Sequence, residues 1–241
     1  MIKFLETNSK NISPEIFIEK FSDKKILVIG AGPSANCVSW DSIEYDSIVT
    51  TTHFYLNDTV RNLSNVSHIT LSEIIDFNDS RLYDFLDKNQ SCTIAFEPVS
   101  GRPFYSSETF VKFEERYRDR VVYYNTQFGK KEGVAGRLAY FVMSFNPSEL
   151  YYVGIDGKSK NVKNDPVGSF RKIQGDTDGY SYDEFKQSHM EMAKHLHEYS
   201  LQNGCRLYNL GESFDFNCSS EYSIKNFPLT DNIKKIINKE N

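Results

Sequence analysis

The sequence predicts an α/β fold, namely a single Rossmann-like domain with a mostly parallel sheet of about seven strands and helices on both faces. Two observations carry this prediction. Short apolar runs alternate with amphipathic helical stretches along the chain, which is the pattern of a buried parallel sheet. The first strong run, at 25–29, also leads directly into a glycine turn, as strands do in nucleotide-binding folds. We expect residues 1–241 to form one domain, with a polar segment at 157–180 that is either a lid or a flexible loop.

The predicted elements follow one another in a regular order. A short helix begins after Ser13, which serves as its N-cap, whereas residues 1–12 are expected to be loosely held. Alternating and apolar runs predict strands at 25–29, 47–52, 66–71, 93–96, 121–125, 150–156 and 206–210. Helical spacing predicts helices near 56–63, 81–86, 110–117 and 135–145, after the capping box Ser181-x-x-Glu184, and at 230–239.

Composition and charge exclude several classes of protein. Hydrophobic residues make up 39% and charged residues 25% of the 241 positions, which indicates a globular chain. The net charge of −5, without a basic block, predicts that nucleic acid is not a partner. No apolar run reaches the ~18 residues of a membrane span, so no transmembrane segment is expected. The four cysteines form no C-x-x-C pair, which predicts neither a zinc cage nor a disulfide framework. We expect a cytoplasmic protein and leave homo-oligomer formation open.

The first candidate binding feature is the turn Gly30-Ala31-Gly32-Pro33-Ser34, which follows the strand at 25–29. Glycines tighten such a turn and allow backbone N–H groups to approach an anion, and a following helix adds a favourable dipole. The next predicted strand ends in three threonines, at positions 50–52, and His53 follows them. Dinucleotide enzymes place Asp or Glu there to hold the ribose, so an NAD site is not favoured.

The second candidate feature is the segment from Glu132-Gly133-Val134, which opens a helix, to the strand end Val153-Gly154-Ile155-Asp156. Open α/β sheets bind ligands at the carboxyl ends of their strands. Asp156 is therefore the strongest single polar candidate. The D-x-D pair Asp176 and Asp178 has the pattern of a metal site, but acids in a glycine-rich loop are usually solvated, and we predict no metal site.

These segments together resemble the bacterial sialyltransferases of glycosyltransferase family 42. There a G-N-G-P-S turn is followed by an N-x-F-Y motif, matched here by Thr52-His53-Phe54-Tyr55. The family's second block, S-G-V, a helix and a strand ending in S-G-I-D, is matched by 132–134 and 153–156. The 6-hydroxymethylpterin pyrophosphokinase-like proteins and the motility accessory factors related to them share a similar turn and strand end. The matching segments cover roughly a quarter of the chain.

The resemblance implies a cytidine-nucleotide site between the glycine turn and the two strand ends, with no required cofactor or metal. By position, it implies that Gly30 and Gly32 shape the turn, with Ala31, Pro33 and Ser34 beside them. It also implies that Thr52, Gly133, Gly154 and Asp156 face the nucleotide or the donor sugar. Several positions depart from the family pattern: Ala31 and Thr52 replace asparagines, Glu132 replaces a serine, and Gly157 and Lys158 replace tyrosines. No histidine stands at the position of the family's catalytic base before the long helix.

An inverting sugar transfer needs a base for the acceptor hydroxyl and groups that stabilise the leaving phosphate. His53 and His189 are the candidate bases, although an ordinary histidine, partly buried or on a helix surface, is the favoured interpretation of each. Tyr180 and Tyr182 are candidates for hydrogen bonds to the phosphate, with packing as the alternative. Arg171 or Lys172 is a candidate to neutralise the phosphate, with simple solvation as the alternative.

The sequence therefore predicts a glycosyltransferase that moves a sugar from a nucleotide-activated donor, including a CMP-linked one, to a surface glycan acceptor. Two alternatives stay open. One is a pyrophosphokinase-like phosphotransferase on the same scaffold, which would use ATP and Mg²⁺. The other is a non-catalytic nucleotide-binding module, which the substituted motif positions would suit.

Overall fold

The structure, a computed structural model, describes residues 3–5, 13–30, 35, 43–72, 75–98, 107–126, 133–155 and 182–210. Within these residues eight strands form one sheet, and six α-helices accompany it. The strands are β1 (Lys3–Phe4), β2 (Lys25–Ile29), β3 (Ser47–Thr51), β4 (Val66–Leu71), β5 (Thr93–Phe96), β6 (Val121–Asn125), β7 (Glu149–Val153) and β8 (Arg206–Asn209). The helices are α1 (Pro14–Phe21), α2 (Asp58–Arg61), α3 (Ser80–Lys88), α4 (Glu108–Arg116), α5 (Gly133–Met143) and α6 (Tyr182–Asn203). Short 3-10 turns lie at Phe54–Leu56 and Arg118–Arg120.

The sheet confirms the predicted fold class. Its strand order is β1-β6-β5-β4-β3-β2-β7-β8. Strands β2 to β8 are all parallel, and only β1 pairs antiparallel, with β6. The predicted bounds of β2, β4, β5 and β6 are those of the structure. These four strands were predictable because each is a short run of largely buried residues with apolar side chains on both faces of the sheet.

Helices cover both faces of the sheet, as predicted, and each face has its own aromatic cluster. On one face the rings of Phe17 in α1 and Phe141 in α5 meet edge to face, 5.0 Å apart between centroids. On the other face Phe110 of α4 packs against Phe96 of β5 at 5.2 Å. All four rings are at most 1% exposed. Each such side chain stabilises the fold by roughly 1.5–3 kcal/mol relative to an exposed ring.

The expectation that residues 1–12 are loosely held is wrong for Lys3–Phe4, which form β1. Phe4 pairs with Tyr124 in the sheet, and its ring stacks on Phe17 with centroids 5.6 Å apart. The apolar cover that α1 supplies explains why so short a segment is held. Two residues are too few to show the alternation by which a strand is predicted.

Three strands end earlier than predicted: β8 ends one residue early, at Asn209, and β3 and β7 end where the backbone turns left-handed. β7 ends at Val153 because Gly154 has a φ of +72°, and β3 ends at Thr51 because Thr52 has a φ of +20°. Both ends lie at the carboxyl edge of the sheet. The predicted lid at 157–180, the capping residue Ser181 and the predicted helix at 230–239 lie outside the described residues.

Candidate nucleotide site at the carboxyl edge

The topology marks one place along the carboxyl edge of the sheet. From β2 the chain moves outward through β3, β4 and β5 to β6, and then returns through α5 to β7 on the other side of β2. The sheet order therefore reverses between β2 and β7. In open α/β sheets ligands bind outside the carboxyl ends of the strands at such a switch point.

Two glycines meet at this switch point. The N–H of Gly30, which follows β2, donates to the carbonyl of Val153 at 2.8 Å. A Cβ added to Gly30 would lie 2.3 Å from the carbonyl oxygen of Gly154, and one added to Gly154 would lie 2.5 Å from that of Gly30. Because both obstacles are backbone atoms, neither position can take a side chain without moving a strand end. The structure thus brings together the two glycines that the motifs singled out.

The first turn of α5 lies against Gly30, and Ala35, which is not part of α5, lies against Gly154. A Cβ added to Gly30 would lie 3.2 Å from the Cβ of Ala135. A Cβ added to Gly154 would lie 3.1 Å from the Cβ of Ala35. Helix α5 begins at Gly133, another predicted site residue. The first N–H groups of a helix have no intrahelical partner and favour an anion. Backbone donors of α5 therefore begin next to the glycine contact.

Thr52 lies one strand away, at the end of β3, in an unusual conformation. Its φ of +20° falls in a region that β-branched residues rarely adopt. Its N–H donates to the carbonyl of Thr70 at 3.0 Å, and its hydroxyl lies 3.3 Å from that of Ser72. The hydroxyl of Thr50 donates to the carbonyl of Ile29 at 2.8 Å, which ties β3 to the end of β2. Strained residues of this kind are concentrated at functional sites.

His53 is placed at the carboxyl edge, as expected, but it is only 8% exposed. It precedes the 3-10 turn at Phe54–Leu56, and its ring centroid lies 6.5 Å from that of Tyr55. Burial raises the pKa of Tyr55 to about 12, with a further contribution from Asp79, so this phenol stays protonated at neutral pH. His53 would need to become accessible before it could accept a proton from an acceptor.

The remaining predicted site residues are placed only in part. His189 and Tyr182 belong to α6, and their side chains lie outside the described part of the structure. The other residues outside it are Ala31, Gly32, Pro33, Ser34, Glu132, Asp156, Arg171 and Tyr180. For all of these, the proposed roles stay predictions.

Sequence reasoning missed a buried charged group at the same edge. Glu97 follows β5, and one of its carboxylate oxygens accepts from the N–H of Thr126 at 2.7 Å and from its hydroxyl at 2.6 Å. The Nε of Arg137, on α5, lies 2.7 Å from the other oxygen as an ion pair, although the N–H is not aligned for a hydrogen bond. The two side chains are 6% and 9% exposed. The sequence does contain a signal for Glu97, because it is an acid directly after a predicted buried strand. The same argument selected Asp156.

His68 is a fully buried residue of β4. Its Nδ1 lies 2.8 Å from the hydroxyl of Thr93 and its Nε2 3.3 Å from that of Thr70. Burial lowers the pKa of His68 well below its usual range, and the charge of Lys20 adds to the effect. The imidazole is therefore neutral in the folded protein and acts as part of the core.

No set of three His, Cys, Asp or Glu side chains in the described residues is arranged to hold a metal ion. Among the helices described, none is both long enough and apolar enough to span a membrane. Burial raises the pKa values of the Cys92 and Cys205 thiols to about 12 each, so neither is a reactive thiolate at neutral pH.

Solved structures with the same fold are sialyltransferases. The monofunctional α-2,3-sialyltransferase Cst-I from Campylobacter jejuni is similar over 95% of this chain and 86% of its own, with 12% identity and a TM-score of 0.53. The sialyltransferase CstII from Campylobacter jejuni, in complex with the substrate analogue cytidine-5'-monophosphate, is similar over 88% of this chain and 87% of its own, with 16% identity and a TM-score of 0.53. No protein-family profile and no curated protein sequence matches the chain. At such identities the likeness establishes the shared fold.

Proposed function

We propose that this chain is a glycosyltransferase that moves a sugar from a nucleotide-activated donor, including a CMP-linked one, to a glycan acceptor. The observation that carries the proposal is the contact of Gly30 and Gly154 beside the start of α5, at the switch point of a fold shared with a CMP-bound sialyltransferase. The same two glycines come from the two motifs whose order and spacing resemble family 42. The likeness to the pyrophosphokinase-like proteins stays a prediction.

In this proposal the backbone, rather than a metal, holds the donor phosphate. N–H groups near Gly30 and in the first turn of α5 would donate to phosphate oxygens, and the helix dipole would stabilise the negative charge that develops as the bond to the sugar breaks. Asp156, two residues after Gly154, would contact the nucleotide or the sugar, and Thr52 would face the same crevice. Glu132, directly before α5, would disfavour a donor with extra negative charge at that point.

The proton of the acceptor hydroxyl needs a base, for which His53 and His189 are the candidates. Tyr180, Tyr182 and Arg171 are candidates for contacts with the leaving phosphate. We also propose that 1–241 act as one domain and that 157–180 form a lid over the donor. The buried free thiols of Cys92 and Cys205 suit a reducing compartment such as the cytoplasm.

A non-catalytic nucleotide-binding module is the second candidate, and the burial of His53 favours it. It shares the proposed nucleotide site but lacks a base that can reach an acceptor. Turnover separates the two candidates, because transfer of the sugar from a CMP-linked donor to the acceptor hydroxyl, with release of CMP, requires catalysis.

The test is a thermal-shift titration with CMP, CDP, UDP, GDP, ATP and NAD, each with Mg²⁺ and with EDTA. We expect stabilisation by CMP or CDP that does not depend on Mg²⁺, and a ligand at 100 times its dissociation constant contributes about 2.7 kcal/mol. A response to ATP with Mg²⁺ alone would instead support a phosphotransferase. No response to any nucleotide would contradict both nucleotide-dependent proposals.

A further inference from the structure

We propose that the buried ion pair of Glu97 and Arg137 is a positioning device that fixes the first turns of α5 at the glycine contact. Nothing in the motifs assigns these two residues. The structural part of the inference stands on contacts within the fold. The consequence for ligand binding rests on the proposed function, because it takes the start of α5 as the phosphate-binding element.

One carboxylate joins three elements of the fold. Glu97 is held at the end of β5, and one oxygen accepts two hydrogen bonds from Thr126, the residue after β6. Its other oxygen faces Arg137 on α5 at 2.7 Å. Both oxygens thus have partners within the fold, so Glu97 fits a positioning role rather than that of a proton donor or acceptor in the reaction.

Arg137 is close enough to the glycine contact for its position to matter there. It lies two residues after Ala135, which is about 3 Å along a helix axis. Ala135 is the residue whose Cβ lies against Gly30, 3.2 Å from the place of an added side chain. A shift of the helix at Arg137 would therefore move the N–H groups of its first turn relative to Gly30 by a similar amount.

Helix α5 is also held on its other side by close packing. A Cβ on Gly136 would lie 1.9 Å from the Sδ of Met192 in α6, so the two helices touch at this glycine. Contacts of this kind prevent approach but do not fix a helix along its axis. An ion pair whose two side chains are held in different elements does fix the helix along its axis. The two buried charges must keep their separation for each to be neutralised by the other.

The pair is better suited to fixing geometry than to adding stability. Two buried charges lose their hydration, and replacing such a pair with apolar residues of similar volume is often neutral or stabilising. Stability and positioning can therefore be separated by mutation. The double variant Glu97→Leu/Arg137→Met removes the charges together, whereas Glu97→Gln weakens the contact and Arg137→Lys keeps the charge in a different shape.

The chain offers a matched control at the opposite edge of the sheet. Glu149 is buried at the amino end of β7 and pairs with Arg206 of β8. Glu149→Gln therefore removes the charge of a buried glutamate in an ion pair without touching α5 or the glycines. A general effect of losing a buried carboxylate would appear in this variant as well.

The deciding measurement is amide hydrogen exchange in the ligand-free full chain, followed by titration with CMP. In the double variant and in Glu97→Gln we expect faster exchange at 135–138 with unchanged exchange at 141–143, and intermediate values in Arg137→Lys. CMP affinity should fall by roughly tenfold, in line with the large cost of a 1 Å misplacement of binding groups. Glu149→Gln should leave both quantities at the wild-type level.

Exchange that is unchanged, or raised equally along α5, in a folded double variant would overturn the inference. An increase in CMP affinity in Glu97→Gln would also overturn it, because it would mean that Glu97 only competes with the phosphate for Arg137. If the wild type binds none of the nucleotides in the thermal-shift titration, the proposed function fails, but the exchange data still decide whether the pair positions α5.

Discussion

The two ends of the sheet are built in different ways. At the amino end, long cationic side chains bind backbone carbonyl groups at the start of a strand, at the end of a helix and in the loop that follows this helix. The Nζ of Lys20 donates to the carbonyls of Ser67 and Ser91 at 2.9 Å each, and Arg120 donates to those of Leu86 and Asn89 at 2.9 and 2.8 Å. At the carboxyl end, backbone meets backbone at the glycine pair, and both partners of the ion pair Glu97–Arg137 are buried. In the amino-end pair Glu149–Arg206, the arginine is exposed.

The backbone conformations show the same difference. The left-handed residues Asp23 and Asn146 precede β2 and β7 at the amino end, and their side chains tolerate that conformation. At the carboxyl end the left-handed positions are Gly154, where no side chain fits, and Thr52, a β-branched residue. The amino end can thus be understood from stability alone. The carboxyl end keeps costly features that stability does not explain, which is what a binding site would require.

The largest predicted effect compares two glycines with nearly equal φ. Gly204 precedes β8 at the amino end, has a φ of +68° and has no atom within 4 Å of an added Cβ. Gly204→Ala should therefore cost only the left-handed conformation, about 1–2 kcal/mol. Gly154→Ala, at +72°, adds a clash with the backbone of Gly30, so the total should be about 3–4 kcal/mol. Urea unfolding at equilibrium measures both.

Equal losses in the two glycine variants would mean that the strand ends can separate without cost, and the contact would no longer define a site. CMP titration adds a second comparison. Gly204→Ala should bind CMP like the wild type, while any folded Gly154→Ala protein should bind it more weakly.

The second prediction concerns the amino end. Lys20→Met keeps the length of the side chain but leaves the carbonyls of Ser67 and Ser91 without this donor. We expect the free energy of unfolding to fall by about 1–3 kcal/mol and CMP affinity to stay unchanged. Lys112→Met is the control, because Lys112 forms an exposed ion pair with Glu108 on α4 and should have no measurable effect. Weaker CMP binding in Lys20→Met would contradict the view that the amino end contributes to stability alone.

Sequence patterns predicted the body of the fold better than its edges. The apolar runs of β2, β4, β5 and β6 gave their bounds, because burial on both faces of a parallel sheet leaves a strong signal. β1 was missed because Phe4 is held by a contact with Phe17, far along the chain. No local pattern reports such a contact.

The candidate site divides in a similar way. The motifs selected Gly30 and Gly154, because the need for glycine is local to each turn. That the two glycines touch follows only from the pairing of β2 with β7, which the sequence does not display. Arg137 was not selected, since it lies within an otherwise apolar helix and its partner Glu97 comes from a distant strand.

The third prediction concerns the polar groups between the two ends, of which His68 is the central one. Because the pKa of His68 is lowered in the folded state, the unfolded chain binds an additional proton below about pH 6.5. The stability contributed by the neutral imidazole is complete above that pH and is lost as the pH falls, by up to about 1.4 kcal/mol per unit. Unfolding free energies of the wild type and His68→Gln at pH 7.5, 6.5 and 5.5 measure this.

We expect the wild type to lose more stability than His68→Gln between pH 6.5 and pH 5.5. Parallel pH profiles would show that the imidazole gains a proton without cost in the folded state. Its contacts with Thr93 and Thr70 would then have to rearrange, since a buried charge beside Lys20 is unfavourable.

The smallest predicted effect concerns Thr52, at the carboxyl end of the sheet. The opposite substitution, from asparagine to threonine, is made at Asn146 at the amino end. Thr52→Asn places a residue that tolerates positive φ at the strained position, at which the sialyltransferase motif also has asparagine. The gain in conformation should exceed the loss of the weak contact with Ser72, so we expect stabilisation of up to about 1 kcal/mol. Asn146→Thr, at a φ of +55° in an exposed loop, should destabilise the fold by about the same amount.

Both changes in stability are measured by urea unfolding. CMP titration shows whether the strained conformation of Thr52 contributes to ligand binding. If Thr52→Asn is more stable and binds CMP at least as tightly, the strain is a by-product of the threonine, and the turn itself is what the site needs. If Thr52→Asn is more stable but binds CMP more weakly, the hydroxyl contributes to the ligand and its conformational cost serves recognition. A less stable Thr52→Asn would contradict the assignment of strain, because the hydroxyl contact with Ser72 would then outweigh the left-handed backbone.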